Sequence, residues 1–284
     1  MNTTKPHYLT VTDHSVSKEI FELCYDAELD LLATHPQPSA EALPDYYESD
    51  DYISHTDGKR TFFEYIYQTV KNIALRKKVK LINRLSNNKG HLLDIGAGTG
   101  DFLVVASANG WSVTGTEPSS KARAIAEAKG VRFIEDAALL ADHSFDIITM
   151  WHVLEHVPDF NRQFAELKRL IKPDGRIVVA VPNFKSYDAT HYGKFWAAYD
   201  VPRHLWHFSK GAIGKISLQH QLELEEVLPM KFDSFYVSLL SEKYRHGKMR
   251  YMAAMTTGIK SNRYGSKYSE FSSHIYVIRP RDLK

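Results

Sequence analysis

From His91 onward the chain alternates short apolar runs with stretches of helical periodicity, and this alternation restricts the fold more than any other feature of the sequence. The runs HLLDI, SVTGTE, VRFI, FDIITM and RIVVAVP each end at a loop rich in Gly, Asp, Pro or His. Such a pattern specifies an open α/β sheet, mostly parallel, with crossover helices on its faces and ligands beyond the carboxyl ends of the strands. Two later runs, FDSFYVSLL and HIYVIRP, are expected to close the sheet as an antiparallel edge pair, with a helix and then a loop between them. Upstream, from Phe62 to about Leu85, Phe63, Ile66, Tyr67, Val70, Ile73 and Ala74 recur at helical spacing and predict a long helix leading into the sheet.

A chain of 284 residues can bury one full core and a smaller appendage. The appendage is expected at residues 1–58, where YLTVT, EIFEL and LDLLATHP form a small antiparallel hairpin unit closed by prolines and a tyrosine-rich loop follows. The main domain is expected at 59–284, with an aromatic and histidine-rich insertion at 182–208 and a basic insertion at 239–272. Charges nearly cancel at a formal net +2, so no nucleic-acid partner is expected. The first residues lack the apolar core of a secretion signal and no apolar run is long enough to span a bilayer, so neither export nor a membrane partner is expected, and the cytoplasm is the expected location. Cys24 is the only cysteine, which excludes an internal disulfide and a cysteine-based zinc cluster.

The segment LLDIGAGTGDF places Asp94 at the end of a buried strand, Gly96, Ala97, Gly98 and Gly100 in a tight turn, and a helix start near Asp101. Glycines there let the backbone approach a ligand closely and adopt conformations a side chain forbids. The next strand ends in Glu117 and Pro118, where an acid can accept hydrogen bonds from the two hydroxyls of a ribose. That much would equally suit a nicotinamide dinucleotide. The dinucleotide fingerprint, however, has its third glycine where Asp101 stands, and it offers helix amides to a pyrophosphate that Asp94 would repel. S-adenosylmethionine carries an ammonium and a sulfonium but no phosphate, so carboxylates at the turn suit it better.

Five segments in order, LLDIGAGTGDF, VTGTEPS, IEDA, SFDIITMWHVLEHVPD and LKRLIKPDGRIVVAVPN, resemble the motifs of the class I S-adenosylmethionine-dependent methyltransferases. The resemblance implies a Rossmann-like, seven-stranded sheet with helices on both faces. It also implies that Asp94 and the glycine turn surround the methionine moiety, that Glu117 holds the ribose hydroxyls and that Asp136 with Ala137 lies beside the adenine. Met150, Trp151 and His152 would line the cofactor on the substrate side.

Methyl transfer from a sulfonium is an in-line displacement; a side chain is needed chiefly to take the proton of a hydroxyl or acidic carbon. Histidine suits that task because its ordinary pKa, about 6.5, lies near working pH. WHVLEHVPD supplies His152 and His156 at i, i+4 spacing with Glu155 beside them, and His152 is the first candidate base. Some quinone-pathway and RNA-end methyltransferases use a related Glu-x-x-Glu-His run to bind a divalent ion. This chain has His152 where those have the first glutamate, so no metal is expected, and Glu155 and His156 are expected to cap neighbouring backbone. In the insertion, Tyr192, Trp196, Tyr199, Arg203, His204 and His207 are expected to form a substrate lid, with His204 the second candidate base; the alternative is that the aromatics roof the sheet.

PRHLWHFS resembles an element of the bacterial subgroup that contains many sugar and secondary-metabolite enzymes, and the amino-terminal unit resembles a small zinc-binding unit stripped of its thiolates. Tyr47, Tyr52 and His55 would then reach over the cofactor or substrate, or simply pack within their loop. The basic run Lys243 to Lys267 suits an anionic or carrier-bound acceptor, although such a run is more often a solvated face. The expected activity is methyl transfer to an oxygen or carbon of a small molecule: a sugar, a secondary metabolite or a phenolic or quinone-like compound. The rivals are a non-catalytic S-adenosylmethionine-binding module and a nicotinamide-dependent oxidoreductase sharing the fold. Glu117→Ala is expected to weaken S-adenosylmethionine binding by roughly 1.5–3 kcal/mol, the worth of charge-assisted hydrogen bonds, in titration calorimetry of a folded variant.

Overall fold

The computed structural model describes residues 5–39, 41–47, 62–86, 88–134 and 137–281. The division expected at residue 58 lies outside them. In the strand β4 (His91–Ile95), Leu92 and Leu93 are both fully buried, which only a strand covered on both faces requires. Leu92 joins Ile147, Leu103 and Val79 in a core beneath α1 (Phe62–Leu85) and α2 (Asp101–Ala108). Leu93 joins Ile148, Phe164 and Ile213 on the other face, beneath α4 (Phe160–Leu170) and α6 (Lys210–Gln219).

Around β4 a six-stranded sheet runs in the order β5 (Ser112–Thr116), β4, β6 (Phe145–Trp151), β7 (Ile171–Pro182), β10 (Ser273–Pro280), β9 (Leu222–Pro229). The first four strands are parallel, and β10 is antiparallel to both its neighbours. Helix α3 (Ser120–Glu127), capped by the Ser119 hydroxyl, links β5 to the edge of the sheet. There the expected strand VRFI is reduced to one bridge, Gly115 to Phe133.

The edge pair departs from expectation. HIYVIRP is β10, but its partner is LELEEVLP, and FDSFYVSLL lies in the helix α7 (Asp233–His246). The reason is that the buried positions of α7 are Ser234, Val237, Ser238, Ser241 and Glu242, a helical spacing occupied mostly by polar residues, so a search for apolar periodicity misses it. The stretch expected to be helix and then loop holds a second helix, α8 (Tyr251–Tyr268), buried through Ala254, Thr257, Gly258, Ser261 and Gly265, with a short loop before β10. Small side chains bring the two helices together: a Cβ on Gly258 would lie 2.5 Å from the Phe235 ring.

A second, antiparallel sheet has the order β1 (His7–Thr12), β2 (Ile20–Asp26), β3 (Leu31–His35), β8 (Trp206–His207). Its last strand comes from the 182–208 insertion, so the amino-terminal unit and the insertion share one sheet. Between them lies a core of Val11, Phe21, Leu23, Leu32, Trp196, Tyr199 and Val201, to which α5 (Tyr187–Tyr192) contributes Ala189 and Tyr192. Arg203 fastens this unit. Its Nη2 donates to Asp13 Oδ1 at 2.9 Å and Asp200 Oδ1 at 2.7 Å, its Nε to Asp200 Oδ2 at 3.0 Å and its Nη1 to the Tyr46 carbonyl at 2.8 Å. Asp13 accepts further bonds from the Ser15 and Ser17 amides, and although burial works against it, these donors hold its carboxyl at about 2. Arg203→Ala would leave the buried Asp13 without its guanidinium, and a loss of roughly 3–5 kcal/mol is expected in urea denaturation.

Candidate active site

Strand pairing places Asp94 opposite Thr149 of β6, whose hydroxyl donates to Oδ1 at 2.5 Å. The carboxyl is 3% exposed, and burial pushes it up to about 7. The Thr149 hydrogen bond and the Lys78 ammonium oppose the rise, and the Glu117 carboxylate adds to it. Lys78 of α1 lies 4.3 Å from the centroid of the Trp151 ring, which also meets Phe102 edge-on. The Trp151 Nε1 is buried without a hydrogen-bond partner among the described residues, and Met150 is buried in the core beneath.

The turn after β4 requires its glycines. Gly96 has φ +68°, and a Cβ there would fall 2.5 Å from Val153 Cγ2; Gly98 has φ +54° and faces open space. The Gly96 and Ala97 amides donate to the Thr116 carbonyl at 2.8 and 3.0 Å, stitching the turn to the end of β5. Beyond it the Glu117 carboxylate accepts from the Gly98 and Ser119 amides, both at 2.9 Å. Gly100 opens α2 in the left-handed conformation, and Asp101 in the first turn is held by Lys71 and Lys129 at 2.6 and 2.7 Å. That helix terminus carries its own carboxylate, which disfavours a pyrophosphate there. Pro118 is exposed beside Glu117, and the Ala137 carbonyl accepts from Arg169. Asp136, Tyr52 and His55 lie outside the described residues.

At the carboxyl end of β6 the chain turns sharply. His152 has φ +57°, a strained value for a non-glycine residue, and its amide donates to the Ala180 carbonyl at 2.9 Å. Its Nε2 stands 3.0 Å from Asp233 of α7 and its Nδ1 3.3 Å from Glu155. Burial alone would lower the imidazole, but Asp233 and then Glu155 push it up to about 10. His152 is therefore held toward its cationic form, with both nitrogens facing carboxylates, an environment unlike that of a free general base. Asp233 was not anticipated, because the segment carrying it reads as a strand.

His204 differs in the sign of its shift. Its Nδ1–H donates to the Ala198 carbonyl at 2.9 Å, and burial, with the His156 ring beside it, brings it down to about 4. His156 Nδ1 lies 3.0 Å from both the Arg203 carbonyl and the Tyr47 hydroxyl, and the two imidazoles meet edge-on at 4.6 Å. A ring nitrogen facing a carbonyl must carry a proton, so Nδ1 is the engaged atom in both rings and Nε2 the remaining one; in His204, held neutral by burial, that Nε2 keeps its lone pair. Between them is Glu155, 1% exposed, with neither carboxylate oxygen hydrogen-bonded among the described residues. The His152 cation holds it at about 2, against burial. The expectation that His156 caps backbone agrees with its contact to Arg203; Glu155 caps nothing with its side chain. Glu155, His156 and His204 offer three ligand atoms within 4.8 Å of one another. Two imidazoles oriented by carbonyls and a buried carboxylate paired with His152 form a donor set that fits a divalent cation, where the sequence reading expected no metal.

Most of the expected lid is interior. Tyr192 donates to Glu242, the Trp196 indole to Asp188 at 2.8 Å, and Tyr199 packs edge-on against Trp196. His207 lies 3.1 Å from the Thr34 hydroxyl, and burial takes it down to about 3. With Arg203 these residues hold the two sheets together, so the roof reading describes their placement. Tyr47 does reach the cluster, through His156.

A family model described as a methyltransferase domain matches residues 69–227, more than half of the chain. The ubiquinone biosynthesis O-methyltransferase of Actinobacillus pleuropneumoniae is 27% identical over 169 residues, covering 54% of this chain and 72% of that protein. Its counterpart from Thiobacillus denitrificans is 28% identical over 158 residues, covering 50% and 68%. Among solved structures, magnesium protoporphyrin IX methyltransferase from Synechocystis superposes with a TM-score of 0.56 at 16% identity, covering 85% of this chain and all of that one. Geranyl diphosphate C-methyltransferase from Streptomyces coelicolor gives 0.51 at 16% identity, covering 73% and 77%. The chain belongs to the methyltransferase-domain family, and is a class I S-adenosylmethionine-dependent methyltransferase.

Proposed function

We propose that this enzyme methylates a hydroxyl oxygen of a small phenolic or quinone-like acceptor held against Glu155, His156 and His204. The observation that carries the reading is that cluster itself: two imidazoles whose Nδ1 atoms are engaged by backbone carbonyls, beside a buried carboxylate paired with His152, a few residues beyond the strand that bears Met150 and Trp151. A hydroxyl placed there gives its proton to an imidazole as its oxygen takes the methyl group from the sulfonium, which departs as a neutral thioether. His152, with both ring nitrogens engaged by Asp233 and Glu155, is a positioning residue that holds Glu155 in place beside the two imidazoles. The O-methyltransferase names of the relatives support oxygen over carbon.

A second reading rests on the donor set. Glu155, His156 and His204 would hold a divalent ion, which supplies Lewis-acid polarisation of the acceptor hydroxyl. It addresses the weakness of His204, at about 4, as a base for a phenol. On the cofactor side, Asp94 would face the ammonium of S-adenosylmethionine, and Glu117, oriented by two amides, the ribose.

Incubation with S-adenosylmethionine and an ortho-dihydroxybenzoate should release S-adenosylhomocysteine and yield the mono-O-methyl product by mass spectrometry. Turnover confined to acceptors without a hydroxyl would overturn the assignment. His156→Gln and His204→Gln should each lower kcat by roughly 10²–10⁴-fold. Elemental analysis after equilibration with zinc or manganese separates the two readings: uptake by the wild type that Glu155→Gln abolishes supports the ion, and no uptake leaves the imidazoles as base.

Asp94 adds a pH dependence. A carboxyl held at about 7 by burial is partly protonated near neutrality, and a cationic ligand selects its ionised form. S-adenosylmethionine affinity should rise with pH through that value, by at most about tenfold per unit below it, with proton release on binding. Calorimetry in buffers of different ionisation enthalpy measures that proton; equal affinity at acid and alkaline pH would remove Asp94 from this role.

A further inference from the structure

Between Glu242 and Glu270 the chain carries seven Lys or Arg residues and no Asp or Glu, while the remaining 29 basic residues are outnumbered by 34 acidic ones. The near-zero total conceals a protein with a basic helical hairpin on an acidic body. In α8 the side turned from α7 carries two adjoining ridges. One is Met252, Met255 and Ile259, which are 82%, 50% and 42% exposed; the other is Lys260, Arg263 and Lys267, all exposed. Both repeat at i, i+3, i+7, opposite the buried stripe of Ala254, Thr257, Gly258, Ser261 and Gly265. Tyr251 and Tyr268, each about half exposed, stand at the two ends of the helix. At the foot of the apolar ridge an open cleft of about 500 Å³ is lined by Arg245, His246, Arg250, Met252 and Thr256.

We infer that this face docks the enzyme on an anionic lipid surface. An apolar ridge flanked by long-stemmed cations is what a helix lying in the bilayer interface presents: the ridge enters the acyl boundary while the ammonium and guanidinium groups stay among the phosphates. Between Glu242 and Glu270 no acid opposes this, and the acidic remainder of the chain turns the basic face toward a negative surface. The cleft gives a lipid phosphate two guanidiniums, Arg245 and Arg250, beside the buried Glu242 that Arg250 meets at 3.5 Å. Three aliphatic or thioether side chains in a row fit lipid better than a nucleic-acid strand, which would be held by stacking aromatics and phosphate contacts alone. Among the described residues no helix is long and apolar enough to cross a membrane, so the attachment is peripheral.

The test uses the full chain in flotation with vesicles of phosphatidylcholine alone and of phosphatidylcholine mixed with phosphatidylglycerol, and needs neither cofactor nor acceptor. Flotation with the anionic vesicles alone, suppressed by raised salt, is expected. The triple variant Lys260→Ala, Arg263→Ala, Lys267→Ala should weaken binding by about 100-fold, from three surface cations each interacting with the leaflet. Met252→Ser with Met255→Ser should weaken it independently, with thermal unfolding unchanged because both side chains are exposed. Failure to float with anionic vesicles at low salt overturns the inference, as does flotation that both variants leave intact. Tight binding of single-stranded RNA without vesicle binding, or a stable dimer that Met252→Ser dissociates, would give the face to a different partner. Loss of methyl transfer with vesicle binding intact would instead count against the proposed reaction.

Discussion

The pairing of β4 with β6 sets the geometry on which the rest of the site depends. Because residues alternate faces along parallel strands, the register that buries Leu93 beside Ile148 also puts Asp94 beside Thr149. The same register brings Trp151 to the carboxyl end of β6 and His152 just beyond it. A slip of one residue would turn the carboxylate and the indole to the wrong sides and expose the apolar face of the strand. The fold and the site are therefore specified by one set of contacts, with the glycine turn stitched to β5 through the Thr116 carbonyl.

Electrostatics then separates the histidines. His152 and His204 both lie close to Glu155, yet one is held as a cation and the other as a neutral ring. The difference comes from what their nitrogens face: His152 has carboxylates on both sides, whereas His204 has a carbonyl on one nitrogen and a second imidazole nearby. Pairs of titratable groups driven in opposite directions are how a protein assigns distinct roles at one pH. Asp233 produces the split on the His152 side, and it arrives from a helix 81 positions further along the chain.

What could be read from the sequence follows from where the signals are local. The glycine turn, Asp94, Glu117 and the parallel strands rest on short segments whose apolar runs and turn residues agree with one another, and they stand where expected. The helix α7 was hidden because its buried side is Ser234, Ser238 and Ser241 in place of Leu or Ile. With α7 read as a strand, Asp233 could not be linked to His152, and His152 kept the ordinary imidazole pKa that made it the first candidate base. The lid failed for a related reason: Tyr192, Trp196 and Tyr199 are amphipathic enough to line a cleft, and only the partners they meet, Glu242, Asp188 and His207, show that they are interior. Arg203 likewise reads as a substrate-facing cation until Asp13, 190 residues away in the chain, is placed against it.

The hairpin of α7 and α8 inverts the usual arrangement, and this has a physical consequence. Its helices meet through serine, threonine, alanine and glycine, so its stability draws on close backbone approach and on hydroxyl bonds such as Ser241 to the Val237 carbonyl. Met252, Met255 and Ile259 contribute little to that packing, since they stand on the opposite side. Their burial, worth about 25 cal/mol per Å² of apolar surface, is free energy the isolated chain leaves unused and an interface can gain. The same helix α7 begins at Asp233 against His152 and ends at Arg245 and His246 beside the basic cleft, about 20 Å away at 1.5 Å per residue. One helix thus meets His152 at its amino end and borders the basic cleft at its carboxyl end, so the hairpin links the proposed docking face to the site.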